Sequence, residues 1–441
     1  MIKPTFVSAF VFAITLVSSF LAPSITAAQT GDVWVIHAGS VLVMPGKKPA
    51  SSQSIVIRGK HIERIESGFI DPIDVAPTAK LIDLKDKFVL PGLMDMHVHL
   101  LGQLSKTSRT DMLFVTTSMD ALTGAYYANT TLNAGFTTVR DLGGNPEAIY
   151  ALRDAVNQGL VPGPRIFAAG SALAATGGHG DIDGVKPELL KLWTPETICD
   201  GPFECRKAAR HAIKMGADWI KITATGGVLS DTATGTDQQM SNDELSEIVR
   251  TAHGLGVKVA AHAHGNNGIK AALRAGVDSI DHGTFSDKEA INLFKQSGAF
   301  LVPTLSPGVK VPAMMEGNPF FTDNIKDKAM AASAAAQETF LSAYKAGVKI
   351  AFGTDSSVTP HGENADEFVM MVRAGMSAAD AIRSATIVSA NLLGVEDKLG
   401  TLENGKLADI IAVSGNPLED ISRLRKVDFV MKAGKVMKSA Q

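Results

Sequence analysis

The run GVKVAAHAHGNNGIKAALRAGVDSIDHG, residues 256–283, holds one unit of the fold: a glycine, a β-type run, a helical stretch, a second glycine and another β-type run. Gly256 and Gly276 each precede a new strand, where a residue free to adopt the left-handed conformation closes the helix before it. The same punctuation recurs at Gly135, Gly216 and Gly347. Working outward, eight β-type runs alternate with helical stretches: 92–97, 137–141, 165–169, 219–223, 258–263, 279–282, 300–304 and 349–353. In the connecting stretch 242–255, Leu245, Ile248, Val249 and Ala252 recur at helical spacing, and Ser241 with Glu244 has capping-box spacing. Alternation of this kind predicts an α/β chain with a parallel sheet, and eight strands predict a closed (β/α)8 TIM barrel over residues 90–395.

The flanks read differently. Residues 32–88 contain the β-type runs 33–36, 54–57 and 61–65, and residues 400–437 contain 409–413, 429–431 and 435–437. Each flank is short for a core of its own, so segments 29–89 and 396–441 are expected to combine in one small β-sandwich beside the barrel. At the N-terminus, Lys3, the apolar run 6–22 and the small residues Ala27 and Ala28 have the order of a cleavable secretory leader over residues 1–28. The same run could also remain as an anchor helix. Cleavage predicts a secreted or periplasmic protein without stable membrane insertion.

In this 441-residue chain a formal net charge of −3, with both signs scattered, leaves no basic stripe to neutralise a phosphate backbone, so nucleic acid is not an expected partner. The two cysteines, Cys199 and Cys205, are compatible with a short disulfide in an oxidising compartment or with two free thiols.

Barrel active sites lie at the C-terminal ends of the strands, so the polar residues there carry the chemistry. The first run closes with His97 and His99, two imidazoles on one side of an extended backbone. The fourth, Trp219-Ile220-Lys221-Ile222, has a lysine in an apolar strand. An unpaired buried ammonium is costly, so either the head of Lys221 reaches solvent at the barrel mouth or CO2 converts it to a carbamate, an anion able to bridge two cations. The fifth run supplies His262 and His264, the sixth His282 and the eighth Asp355. Any one of these is equally a hydrogen-bonded structural residue. Together, at corresponding strand ends, they make a donor set for a zinc-like divalent ion.

The order His-x-His, Lys, His, His, Asp resembles the amidohydrolase superfamily, as do the runs 89–95 and 405–409. Within it, the runs 176–180, 216–221 and 261–265 look like the metal-dependent dipeptidase and carboxypeptidase group, which includes prolidase-like and Xaa-Arg-type peptidases and ochratoxin-hydrolysing amidases. The resemblance implies two divalent metal ions, expected to be Zn2+. His97, His99, carbamylated Lys221 and Asp355 would hold one, and the carbamate with His262 and His282 the other. It further implies that Asp355 takes the proton of the attacking water and returns it to the leaving nitrogen, and that His179 hydrogen-bonds the carbonyl oxygen as charge develops. His264 is expected in the pocket, exchangeable in role with His262 and able to hold a substrate carboxylate with help from cationic loop residues. The implied partner is a small amide: an N-acyl-L-amino acid or dipeptide, with aromatic amides of the ochratoxin A type as the particular expectation. Self-association into a homo-oligomer stays open.

Two rival classes differ in testable features. A deaminase on the same barrel would carry a glutamate shortly after the fifth-strand histidine, where this chain has Ala263-His264-Gly265-Asn266-Asn267. A secreted binding protein would bind no metal. A cyclic amidase or lactonase would share the same metal-activated water.

Overall fold

The computed structural model describes Met1 and residues 32–440 except 112, 183 and 232–234, and for Lys191 the backbone alone. The leader expected over residues 1–28 lies outside the described residues, Met1 apart. Among the described residues no helix is long and apolar enough to cross a membrane.

The chain is a mixed α/β protein. Four strands come first: β1 (Val33–Val41), β2 (Ala50–Arg58), β3 (His61–Ser67) and β4 (Lys80–Pro91). Eight follow, alternating with helices: β5 (Leu93–Val98), β6 (Phe136–Asp141), β7 (Arg165–Ala168), β8 (Trp219–Thr223), β9 (Lys258–Ala263), β10 (Ser279–His282), β11 (Phe300–Val302) and β12 (Lys349–Ile350). The chain ends with β13 (Ile410–Ser414), β14 (Val427–Lys432) and β15 (Lys435–Lys438).

The flanking strands form one seven-stranded sheet, in the order β15-β14-β13-β4-β1-β2-β3, where two packed layers were expected. Its centre is β4, which the sequence reading passed over. β4 pairs parallel with β1 and antiparallel with β13, and thereby joins the two ends of the chain. It also runs to Pro91, across the boundary expected near residue 90.

The eight alternating strands pair in parallel as two groups, β12-β11-β10-β9-β8 and β5-β6-β7. Regular pairing stops at two seams. At one, Met96 N donates to Phe352 O and Asp355 N to His97 O, both at 2.8 Å. At the other, Leu173 N donates to Lys221 O at 2.8 Å and Thr223 N to Leu173 O at 3.0 Å. The last strand keeps two ladder residues of the five expected, because the chain leaves extended geometry soon after: Asp355 has φ 56°.

Side chains alternate along these strands. Ile220, Ile222, Val259, Ala261 and Ile280 pack into the large cluster shared with the helices. Trp219 and Ala260 pack into a second cluster with Met94, Met96, Val302 and Ala351. Lys221, His262 and Asp281 fall on the same alternation as that second set, which is why one charged residue after another can face a common interior. The helix Asn242–Gly254 carries the expected capping box between Ser241 and Glu244. Cys199 and Cys205 form a disulfide, closing the alternative the sequence left open.

Candidate active site

The strand ends converge on one cavity of about 670 Å3, whose lining includes all eight residues singled out from the sequence: His97, His99, His179, Lys221, His262, His264, His282 and Asp355. The imidazoles form a connected cluster. Ring centroids lie 5.2 Å apart for His97 and His99, 5.0 Å for His97 and His282, 4.6 Å for His262 and His282, and 4.2 Å for His179 and His262. Asp355 Oδ1 is 3.3 Å from His99 Nε2 and 3.5 Å from His97 Nε2.

Backbone strain marks the same place. His282, Thr304 and Asp355, at or just past the ends of β10, β11 and β12, all have positive φ, of 71°, 47° and 56°. Each such residue costs on the order of 1–3 kcal/mol, so the surrounding structure must impose it. Part of that structure is visible. Asp95 Oδ1 accepts from His97 N and Thr354 N, both at 3.1 Å, and its Oδ2 accepts from Thr354 Oγ1 at 2.7 Å and Asn364 Nδ2 at 2.8 Å. One buried carboxyl thus ties the backbone that precedes Asp355 to the backbone of His97. Burial pushes that carboxyl up to about 6, against the pull of these hydrogen bonds.

Burial favours the neutral form of five of the six imidazoles. Burial, with Lys221 nearby, lowers His97 to about 4 and His179 to about 4. Burial and His179 lower His264 to about 3, and burial among the other rings drives His262 and His282 well below the ordinary value. His99 goes the other way: burial opposes its charge, but the Asp355 carboxylate beside it raises it. For Asp355 burial works upward, yet the His97 and His99 imidazoles outweigh it and hold the carboxyl below its usual range.

A metal fits these residues. His262 Nε2 is buried with no hydrogen-bond partner, which is expensive unless something accepts its lone pair, while His97 Nδ1 faces Asp281 Oδ2 at 3.4 Å and its Nε2 faces Asp355. Donor atoms of His262, His264 and His282 lie within 4.8 Å of one another, as do those of His97, His282 and Asp355. Second contacts orient the rings: His99 Nδ1 lies 2.9 Å from Gly143 O, His264 Nδ1 2.7 Å from Thr284 Oγ1, and His282 Nδ1 2.6 Å from Thr304 Oγ1. Both His262 and His264 therefore keep a nitrogen for the cavity, and their exchange of roles stays open.

Lys221 is 4% exposed, so its head does not reach solvent. Its Nζ donates to Asp281 Oδ2 at 3.1 Å. Asp281 Oδ1 accepts from Arg140 Nη2, also at 3.1 Å, and Arg140 is itself fully buried over the Trp219 ring at 4.5 Å. The sequence reading missed both residues. Arg140 gave the signal that Lys221 gave, a cation inside a β-type run; Asp281 stood next to a histidine that drew the attention. Although burial raises an aspartate, Lys221 and Arg140 hold Asp281 well below the usual carboxylate range. Asp281→Asn leaves the fully buried Arg140 guanidinium short of its counter-charge, whatever the state of Lys221, and removing one partner of a buried pair costs about 3–5 kcal/mol. A clear drop in the urea midpoint is expected; an unchanged midpoint would contradict the pairing.

Much of the cavity lining is apolar, and Val228, Leu229 and Val311 in it share one hydrophobic cluster. Among its described lining residues there is no arginine, and Lys221 is the one lysine, so the cationic loop residues expected for a substrate carboxylate do not line it. Arg109 bonds Phe320 O and Lys328 bonds Gly227 O, and neither lines the cavity. His179 Nδ1 pairs with Ser230 Oγ, and its backbone N donates to Gln239 Oε1 at 2.8 Å.

The comparisons with known proteins agree with this geometry. The chain is 33% identical to the ochratoxinase of Aspergillus niger, over 94% of this chain and 88% of that one. Among solved structures, a Xaa-Pro dipeptidase with methionine bound in its active site superposes with a TM-score of 0.86 at 45% identity, covering 92% of this chain and 99% of that one. The crystal structure of A. niger ochratoxinase superposes with a TM-score of 0.80 at 32% identity, covering 92% and 96%. The model of the Amidohydrolase family matches residues 88–437. The chain belongs to the amidohydrolase family, and it is a hydrolase that acts on amides.

Proposed function

We propose that the protein cleaves the amide bond of N-acyl-L-amino acids or dipeptides, carboxypeptidase fashion, and favours bulky aromatic acyl groups such as that of ochratoxin A. The observation that carries this reading is the meeting of seven metal-competent side chains with an apolar cluster in a single cavity. Two divalent ions, Zn2+ by donor chemistry, would be held by His97, His99, Asp355 and a carbamate on Lys221, and by that carbamate with His262 and His282. When bound, they supply an acidified water and a polarised carbonyl. The chain does the rest. Asp355 takes the proton of the attacking water and delivers it to the leaving nitrogen. His179, neutral and held by Ser230, donates a hydrogen bond to the carbonyl oxygen as charge grows there. His264 receives the substrate carboxylate, and the acyl group lies on Leu229 and Val311. The parallel strand groups β5–β7 and β8–β12 support a (β/α)8 barrel, with the seven-stranded sheet as its flanking domain.

The test compares an N-acyl-L-phenylalanine with its methyl ester. Esterification leaves the carboxylate's partner unpaired, so kcat/KM should fall by about 10-fold or more. Equal cleavage of the two would replace the carboxypeptidase-like reading with a general amidase or lactonase.

We also propose export to the periplasm or the medium, with loss of residues 1–28. The charged, apolar and small-residue order of the leader supports it. Intact mass of protein exported by a native host should lack those residues; the mass of the full chain would refute the cleavage.

A further inference from the structure

Glu367, in the helix Asp366–Arg373, is fully buried and is not among the described residues that line the cavity. Burial pushes its carboxyl up, to about 7, against the hydrogen bonds it accepts. A group so costly to bury is informative by where its bonds go. Leu305 N donates to Oε1 at 2.8 Å, and Ser306 N and Ser306 Oγ donate to Oε2 at 2.7 and 2.6 Å.

Those donors open the helix Leu305–Met314, whose N-cap residue, Thr304, makes no side-chain capping bond. Glu367, 62 positions beyond Leu305, satisfies the first backbone N–H groups in its stead. Thr304 turns its side chain elsewhere. Its backbone is held at φ 47° and ψ 59°, a conformation that β-branched residues rarely adopt, and its Oγ1 lies 2.6 Å from His282 Nδ1. His282 is the residue common to both groups of convergent donor atoms, one with His262 and His264, the other with His97 and Asp355. A ring in that place has to be fixed in rotation and in tautomer: with the proton on Nδ1 and bonded to Thr304 Oγ1, Nε2 keeps its lone pair for a metal. The same helix start serves the other side of the site. Asn364 O accepts from Glu367 N at 3.2 Å, and Asn364 Nδ2 donates to Asp95, the carboxyl that ties His97 to the backbone before Asp355.

We propose that Glu367 is a positioning residue of the active centre: it grips Leu305 and Ser306 and so keeps Thr304 in its left-handed conformation, with Oγ1 on His282. It touches neither metal nor substrate. The inference rests on the reading of His282 as a metal ligand and goes beyond it by assigning what orients that ligand. The alternative is a helix cap that adds stability alone, and Lys310 supplies the comparison. It anchors the same helix, to Glu363 Oε2 at 2.6 Å and Asp366 Oδ2 at 2.8 Å, further along from Thr304.

The test measures zinc affinity of the full chain by competition with a chromophoric chelator. Glu367→Gln, which keeps the volume and loses one acceptor oxygen, should weaken the less tightly held ion about 10-fold or more, as does removal of other partners that orient a ligating histidine. Lys310→Met should cost stability and leave both affinities within about two-fold, since it orients no ligand. Thr304→Val, which deletes the hydroxyl, should weaken the same ion, and adding Glu367→Gln to it should cost little more, because both act along one path. Wild-type affinities in Glu367→Gln overturn the proposal, as does an equal loss in Lys310→Met, and as do effects of Glu367→Gln and Thr304→Val that simply multiply. If Glu367→Gln does not fold, Ser306→Ala, which removes one of the three donors, takes its place: several-fold weaker binding is expected, and an unchanged affinity overturns the proposal. If the wild type binds no zinc, it is the metal reading that fails, and nitrogen NMR of the histidine rings then decides the positioning. A His282 held as the Nδ1–H tautomer in the wild type and released to a mixture by Glu367→Gln supports it, and a ring that the variant leaves unchanged overturns it.

Discussion

Lys221→Ala is expected to lose most of the bound metal and nearly all turnover. The lysine sits in β8, a strand buried along its length, and its Nζ is held at 3.1 Å from Asp281. As an amine it can add to CO2: a nitrogen–carbon bond forms, one proton leaves, and the resulting carbamate would be an anion able to hold two cations. Alanine removes the one lysine among the described lining residues, and with it the amine that can make that group. Residues that merely support a ligand cost about 10–100-fold in metal affinity when changed, so loss of the bridge itself should cost more. Metal analysis of the purified variant should show a deficit at both positions. Acetate or propionate, filling the vacated space with a carboxylate, should restore part of the metal and part of kcat. Full metal content with full activity would end the binuclear reading.

The eight-strand rhythm was legible because several helices close on a glycine directly before a new strand and the strands are short β-type runs; most strand ends fall within a residue of expectation. The last strand misled because Ala351, Phe352 and Gly353 continue an apolar run, while the backbone leaves the ladder and at Thr354 and Asp355 bonds to Asp95 and His97 instead. The flanking sheet was only half legible. β4 contains Lys85, Asp86 and Lys87, which break its alternation, and its partner β13 lies over three hundred positions downstream, so its pairing is a tertiary fact. The candidate ligands stood out for the same reason that the support around them did not. A histidine at a strand end is conspicuous alone, but the Arg140–Asp281–Lys221 chain has meaning only when three strands bring the residues together. The cavity's apolar cluster comes from segments around Val228 and Val311, whose proximity no periodicity reveals.

Asp355→Asn should behave differently from the loss of Lys221, and the contrast separates holding metal from moving a proton. The residue lies in the left-handed region, where asparagine is among the few side chains that sit without much added strain, so the backbone and its 2.8 Å bond to His97 O should survive. The amide keeps one oxygen near His97 and His99, so some metal should remain. What disappears is the negative charge and with it the acceptor for the water's proton. General acid–base groups of this kind contribute about 10²–10⁴-fold, and that loss should fall on kcat, with KM changing by only a few-fold. Metal content measured on the same preparation guards against the trivial explanation. If the asparagine variant retains its metal and its kcat stays within a few-fold of the wild type, Asp355 is a ligand alone, and His179 or His264 would have to carry the proton.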